Sequence, residues 1–299
     1  MRKKSIGYTI FKVFVVIFML LVSVAFLFPY LNIIAKALND STDTSLGGIT
    51  IFPRKFTLVN IQQVLSDTAI VRSSIISVLR VIIGTVIAIV ILFFAAYALT
   101  KPGLRGRSAI VVFLSIPMFI SGGLIPQYIL YSKLHMLNTF LIYIIPGAFS
   151  FYNMVVIRSY LQTIPSSLAE SARLDGAGEV KILFRIILPL SMPILATITL
   201  WLAVHHWNDW TSTLYFVTKK NLYTLQYLLH QVIQESSRLQ ANNMQALMEG
   251  RDIGTASQQT TPEALKAAQI FVTTIPIICV YPWLQKYFMK GIMVGSIKE

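Results

Sequence analysis

The chain has 299 residues, of which 55% are hydrophobic and 12% are charged. A soluble globular domain carries about 25% charged residues, so this composition excludes an ordinary soluble protein and indicates one that lies in a lipid bilayer. The formal net charge is +13, but more than half of the basic residues fall in short segments next to apolar runs. That distribution sets the orientation of a membrane protein and is not a nucleic-acid-binding surface.

Six long runs carry no charged residue, and each is about as long as the ~20 residues that a helix needs to cross a bilayer. They predict an all-α, polytopic membrane protein with six transmembrane helices, because backbone groups in lipid must pair within their own segment. After an N-terminal segment over 1–12, residues 13–299 form one transmembrane domain. Its predicted helices cover about 13–38, 69–99, 108–132, 137–158, 186–212 and 264–285.

The basic residues predict the side of the membrane on which each connection lies. Segments rich in Lys and Arg stay in the cytoplasm, which places both termini and the loop 159–185 inside. The segments 39–71 and 213–263 are then extracytoplasmic. Arg72 and Arg80, near the start of the second helix, are expected to face protein or the outer interface and not lipid.

The third predicted helix carries residues that kink or break helices, namely Pro117, Gly122, Gly123 and Pro126. Backbone groups freed by such residues need a neighbouring helix or a cavity. Two interpretations stay open: close packing of helices through small residues, or one wall of a path for a solute.

The inner loop contains a charged, glycine-broken segment, Glu170 to Gly176. Ser166 or Ser167 is expected to cap a short helix there, and Ser167 with Glu170 fits a capping box. Gly176 and Gly178 are expected to end it, because glycine adopts left-handed turns at little cost. Such a helix is either a docking surface for another protein or an amphipathic helix that rests on lipid headgroups.

The order Glu170-Ser171-Ala172, Gly176 and then Ile186-Ile187-Leu188-Pro189 closely resembles the EAA loop of binding-protein-dependent ABC importer permeases. Ser171 stands where that family usually has alanine, a small-for-small change. The run from Ala172 to Ala177, Asn208-Asp209-Trp210 and the ending Gln285 to Ile292 are similar to sugar-transporter permeases. The whole chain resembles relatives of the maltose transporter's inner permease, in the branch that takes oligosaccharides, including pectin fragments.

The resemblance implies a type I ABC importer permease fold in a bacterial cell membrane. It also implies a heterodimer with a second permease subunit, two ATP-binding subunits, an extracytoplasmic solute-binding protein and an oligosaccharide substrate. The loop that docks on the ATP-binding subunits would comprise Glu170, Ser171, Ala172, Arg173, Leu174, Asp175, Gly176, Ala177 and Gly178.

A second group of residues has the chemistry of a sugar path. Aromatic rings stack on sugar faces, and amides or carboxylates bind the hydroxyl groups. The candidates are Trp201, Trp207, Asn208 and Asp209 on the fifth predicted helix, Gln127 and Tyr128 on the third, and Tyr152 and Asn153 on the fourth. An aromatic belt at the membrane surface or polar contacts between helices would also explain them. Asp209 is expected to face a cavity or a partner, because a carboxylate at membrane depth is costly in lipid.

The sequence contains no G-x-x-x-x-G-K-[ST] phosphate loop and no catalytic or metal-binding constellation. The chain is therefore expected not to be an enzyme and to hold no cofactor, with ATP and magnesium bound by partner subunits. The alternatives are an ABC permease for a solute other than a sugar and an ion-coupled secondary transporter. The second would need ionisable residues at mid-membrane and inverted halves, and the charge-free runs count against it.

Overall fold

The structure is a computed structural model that describes residues 6–248 and 263–279. Regular structure in these residues is helical, apart from one antiparallel bridge between Asn39 and Phe56, as the predicted all-α class requires. The helices are α1 (Ile6–Ala37), α2 (Ser41–Ser45), α3 (Val59–Ser66), α4 (Thr68–Ala98), α5 (Arg107–Phe119), α6 (Leu124–Lys133), α7 (Phe151–Leu161), α8 (Ser166–Leu174), α9 (Glu179–Ile182), α10 (Leu188–Leu190), α11 (Met192–Asn208), α12 (Thr211–Phe216), α13 (Leu225–Met248) and α14 (263–279).

Three predicted features fall wholly or partly on residues outside the described ranges. They are the first five residues of the N-terminal segment 1–12, the later part of the segment 213–263, and the end of the helix 264–285 together with the ending from Gln285 to Ile292.

Two of the described helices are each long and apolar enough to cross a membrane alone, α1 through Ile10–Ala37 and α4. Helix α1 ends one residue before the end of the predicted helix 13–38, but it begins earlier, at Ile6. Helix α4 lies within one residue of the predicted 69–99 at both ends. Two further spans are possible if each of two sharply bent helix pairs counts as one. The predicted count of six spans therefore stays a prediction.

The third predicted helix, 108–132, is two helices bent by 116°. Helix α5 contains Pro117 and ends at Phe119, after which the backbone is extended at Ile120. Gly123 has a φ of 81°, a conformation that other residues rarely adopt. The proline and the glycine pair thus break the span instead of bending it slightly.

The fourth predicted helix, 137–158, is α-helical only from Phe151. A single 3-10 turn, Phe140–Tyr143, precedes it. Pro146 and Gly147 lie between the two, and both disfavour a continuous helix. Ser150 then begins α7 by accepting a hydrogen bond from the Asn153 amide at 3.4 Å.

The fifth predicted helix, 186–212, begins earlier and is bent. A helical stretch runs from Glu179 to Leu190 and includes a π-helical turn over Leu183–Ile187. It meets α11 at an angle of 73°. Pro189 and Pro193 each lack the N–H group that an α-helix needs. Between them, the amide and the hydroxyl of Ser191 both donate to the Ile187 carbonyl, at 3.0 and 2.6 Å. Helix α11 ends at Asn208, and α12 follows it.

The described residues form two compact units. The first contains those up to Val71 and from Leu229 to Ile275; the second contains those from Arg72 to Leu228 and from Pro276 onward. The core of the second unit joins α4, α7 and the α9–α11 region. Its buried members are Ala88, Leu92, Phe93, Ala96, Leu99, Met154, Ile157, Leu161, Ile182, Leu183, Ile187, Leu195, Ile198 and Leu202.

Candidate functional site

The charged segment forms α8, but its first turn differs from the prediction. Pro165 occupies the N-cap position, and no side chain caps the helix. Ser166 and Ser167 lie inside the first turn. From there their hydroxyls do not accept hydrogen bonds from the free backbone amides at the start of the helix, as a capping side chain would. The predicted serine cap and the capping box with Glu170 are therefore wrong.

Gly176 ends α8 as predicted, whereas Gly178, with a φ of −70°, is the N-cap of α9 and adopts no left-handed turn. Gly176 has a φ of 79°, and two backbone bonds close the turn around it. The Ala177 amide donates to the Ala172 carbonyl at 2.9 Å, and the Gly176 amide donates to the Arg173 carbonyl at 3.0 Å. This pair of bonds is the Schellman arrangement, so the helix ends at a fixed place and turns sharply into α9.

Helix α8 has one face against the protein and one face free. Ala169, Ala172 and Ala177 pack against the core of the second unit. Glu170 is exposed, and the Leu174 side chain is 90% exposed. This free face, which combines an exposed leucine with charged groups, is available to a protein partner.

A charge cluster, defined here as Tyr97, Lys101, Arg173 and Glu179, lies beside this helix. Arg173 Nε is 2.7 Å from one Glu179 oxygen, and Lys101 Nζ is 2.6 Å from the other. Tyr97 donates its hydroxyl to Glu179 at 3.1 Å. The hydrogen bond to Glu179 raises the pKa of Arg173. Desolvation lowers the pKa of Lys101, but its hydrogen bonds with Glu179 and Tyr97 outweigh that effect and raise it, so both cations keep their charge at physiological pH.

A polar cavity of about 590 Å³ lies in the second unit, and the residues that line it are distant from α8 in sequence. Its lining combines hydroxyl, amide, imidazole, charged and aromatic groups with apolar side chains such as Leu124 and Ile142. The lining residues include Arg80, Ser121, Gln127, Tyr131, Tyr143, His205, His206, Asp209, Thr211, Ser212 and Tyr215.

The ion pair of Arg80 and Asp209 forms one side of the cavity. The side chains are 3% and 11% exposed, so both charges are withdrawn from solvent. Arg80 also donates from Nη1 to the Asp209 carbonyl at 2.8 Å. Asp209 accepts from the Thr211 hydroxyl at 2.6 Å and from the Ser212 hydroxyl at 2.5 Å. Two bonds between Arg80 and Asp209 tie the middle of α4 to the end of α11, and the two hydroxyls fix the position of the carboxylate.

Tyr143 supports the ion pair from the 3-10 turn. Its ring lies under the Arg80 guanidinium, 4.7 Å from the ring centroid, a cation–π contact. Its hydroxyl donates to the Leu222 carbonyl at 2.8 Å and lies 2.9 Å from the Thr213 hydroxyl. The side chain is therefore held at both ends, and it holds Arg80 in turn.

His206 packs against α4 at Gly84 and is only 2% exposed. A Cβ at position 84 would lie 2.7 Å from His206 Nε2, and one at Gly147 would lie 3.4 Å from the ring. The absence of a side chain at position 84 thus lets α11 approach α4 closely.

We expect Gly84→Ala to destabilise the protein by about 1–3 kcal/mol, the usual cost of overpacking, although alanine favours a helix over glycine. The measurement is the thermal denaturation midpoint of the purified protein in detergent. Gly103→Ala is the control, because a Cβ there meets nothing within 4 Å. The double variant Gly84→Ala/His206→Ala should recover part of the loss; equal midpoints for Gly84→Ala and the wild type would contradict the close packing.

The cavity includes two of the eight residues predicted for the solute path, Gln127 and Asp209. Trp207 is buried and lines a separate apolar cavity of about 250 Å³. Trp201 stacks on Tyr152, with ring centroids 6.4 Å apart.

The other three candidates also lie away from the cavity lining. Tyr128 stacks on Phe216 at 6.3 Å. Asn208 donates to the Val204 carbonyl at 2.9 Å and accepts from Gln226 at 3.3 Å. Asn153 is half-buried in the first turn of α7.

Arg80 faces protein, as expected of a cation inside an apolar helix. Tyr131, Tyr143, His206 and Ser212 were not predicted as lining residues. The sequence indicated them only through their neighbours. Tyr143 lies three residues before Pro146, which interrupts a helix, and Ser212 lies three residues after Asp209.

Residues 101–294 match the family described as the binding-protein-dependent transport system inner membrane component. The chain is 35% identical over 272 residues to protein LplC of Bacillus subtilis, covering 90% of this chain and 88% of that protein. It is 31% identical over 281 residues to the polygalacturonan/rhamnogalacturonan transport system permease protein YtcP of the same species, covering 94% and 96%. A solved structure of a bacterial ABC transporter involved in the import of the acidic polysaccharide alginate superimposes with a TM-score of 0.83 at 25% identity, over 96% of this chain and 100% of that one.

Proposed function

The chain belongs to the family of binding-protein-dependent transport system inner membrane components, and we propose that it forms part of the membrane path for an oligosaccharide. The family is one of permease subunits of ATP-driven importers, which are not enzymes, since ATP is hydrolysed on a separate subunit. Membership excludes the alternative of an ion-coupled secondary transporter.

The observation that carries the proposal is the lining of the polar cavity. Its tyrosine rings offer stacking faces, and its hydroxyl, amide and carboxylate groups match sugar hydroxyls. Two related transporters act on polygalacturonan/rhamnogalacturonan and on alginate. These substrates support a carbohydrate and favour an oligosaccharide over a single sugar.

The exposed face of α8 is the proposed contact with an ATP-binding subunit. Glu170 and Leu174 offer it a charge and an apolar side chain on a helix whose end is fixed by Gly176. ATP binding would close two such subunits, and a rigid α8 would carry that movement into the membrane helices. The importer would thereby alternate between two states that the nucleotide biases.

The complete assembly contains a second permease subunit in a heterodimer, two ATP-binding subunits and an extracytoplasmic solute-binding protein. The segment 213–263 is the proposed contact with the solute-binding protein. Both termini lie in the cytoplasm of a bacterial cell, and the chain crosses its plasma membrane several times.

Two experiments test the assignment. Affinity purification of the tagged chain in mild detergent should recover a second permease and a subunit that carries a phosphate loop; recovery of the chain alone would overturn the importer. Deletion of its gene should abolish growth on one class of oligosaccharide while growth on the constituent monosaccharides is unchanged. Normal growth on every oligosaccharide, with loss of uptake of another solute, would overturn the carbohydrate assignment and leave the permease.

A further inference from the structure

Helix α8 is attached to the cytoplasmic end of α4 in two ways. Its alanine face packs on the core that α4 contributes to through Leu92, Ala96 and Leu99. On its polar side, Glu179 accepts from Arg173 of α8 and from Lys101 and Tyr97 beside the end of α4. One carboxylate, that of Glu179, thus connects α8, which is the proposed docking helix, with α4, which runs into the membrane.

Both oxygens of Glu179 are used, so the two cations are not interchangeable. Oε1 lies 2.7 Å from Arg173 Nε, and Oε2 lies 2.6 Å from Lys101 Nζ. Lys101 is also fixed over the Tyr97 ring at 4.3 Å from its centroid. The side chains of Glu179, Arg173 and Lys101 are 54%, 45% and 32% exposed, so no single ion pair holds the joint. The network of charge-assisted bonds that converge on Glu179 favours one arrangement of the four groups.

Helix α4 is suited to carry displacement away from this joint. It runs without proline from Thr68 to Ala98, and the step of 17 positions from Arg80 to Tyr97 spans about 26 Å. The connection that follows α8 directly along the chain contains a π-helical turn and a bend of 73°. A continuous helix transmits an axial movement better than a segment that is bent and interrupted by a π-helical turn.

The far end of this stretch of α4 meets the polar cavity. Arg80 is bound there by Asp209, which ends α11. The charge cluster and the ion pair are therefore joined by one helix, with a partner-facing segment at one end and the cavity at the other.

We propose that Glu179 is a positioning residue that locks α8 to α4, and that α4 is an arm by which the docked helix acts on the Arg80–Asp209 pair. The inference rests on the proposed function, because it requires α8 to dock on an ATP-binding subunit. It assigns a role in coupling to residues other than the predicted docking residues Glu170 to Gly178, namely Glu179, Lys101 and Tyr97.

The test measures solute transported per ATP hydrolysed by the complete importer in proteoliposomes. Glu179→Gln should lower this ratio about 10-fold, within the usual range of coupling between sites, while the amount of assembled importer is unchanged. Glu179→Asp should restore much of the ratio, since it keeps the charge. Lys181→Gln is the matched control, because Lys181 is exposed on the same short helix and lies outside the charge cluster.

The outcomes separate this inference from the function on which it rests. A normal ratio in Glu179→Gln, with coupling lost in Glu170→Lys, would overturn the role of Glu179 alone. Normal coupling in both variants would overturn docking through α8. A Glu179→Gln importer that assembles poorly but keeps the normal ratio would show that Glu179 acts on folding only, and would also overturn the proposal.

Discussion

Glu170→Lys is expected to abolish uptake while the subunit still inserts and assembles with its partner permease. Glu170 is exposed on a helix without buried residues, so its replacement disturbs no core. Reversed charge at an interface costs several kcal/mol, and about 1.4 kcal/mol is a factor of ten. We therefore expect uptake to fall by roughly 100-fold or more, with ATP hydrolysis that no longer responds to loaded solute-binding protein.

The measurement compares radiolabelled uptake in cells with ATPase activity in proteoliposomes. Gln162→Lys is the control, because it places a lysine at an exposed position of the same loop, away from α8. Glu170→Gln, which removes the charge without reversing it, should have a smaller effect. Normal uptake in Glu170→Lys would mean that α8 only rests on the membrane surface.

Arg80→Ala is expected to be the most damaging single change to stability. It removes the cation from an Asp209 carboxylate whose side chain is 11% exposed, and breaking one partner of a buried pair typically costs about 3–5 kcal/mol. The cation–π contact with Tyr143 is lost as well. We expect a marked fall in the thermal denaturation midpoint and in the amount of protein recovered from membranes.

The double variant Arg80→Met/Asp209→Asn separates stability from transport. Replacing both charges of a buried pair by neutral groups of similar size is often close to neutral, so most of the stability should return. Uptake should stay low, because α4 would no longer be bound to the end of α11 by the ion pair and could not transmit the proposed movement to it. If the double variant transports normally, the pair is only structural; if it is as unstable as Arg80→Ala, the unpaired carboxylate is not the cause.

Asp209→Ala alone gives the complementary result. Uptake and the ATPase activity stimulated by loaded solute-binding protein should both fall, since the cavity loses a polar group and Arg80 loses its partner. If uptake and stimulated ATPase activity are both unchanged, Asp209 is an ordinary residue of the membrane interface.

The long apolar helices were predictable because lipid imposes one requirement on a whole segment. A run of some thirty residues without internal proline and with few charges has no low-energy alternative to a helix in hydrocarbon, and α4 accordingly lies within one residue of its predicted ends. The broken spans were harder. Gly122 and Gly123 indicated a weak point, but only the structure gives the 116° turn, and the effect of Pro146-Gly147 on the next segment was missed.

The cavity could be predicted only in part, because its residues come from distant segments. Arg80 and Asp209 are 129 positions apart, and nothing in either local pattern indicates the other. Chemistry suited to sugars does not by itself place a residue in this cavity: Tyr152 and Trp201 have that chemistry, and they stack on each other away from its lining. The end of α8 was predictable from Gly176, because a left-handed turn depends on one residue. The start of α8 was not, because it depends on the direction from which the preceding backbone enters the helix.

Leu174, at 90% exposed, has a consequence for how the proposed docking depends on temperature. Burial of apolar surface stabilises an association less at low temperature. A partner that covers Leu174 would therefore lose part of the leucine's share of its affinity on cooling.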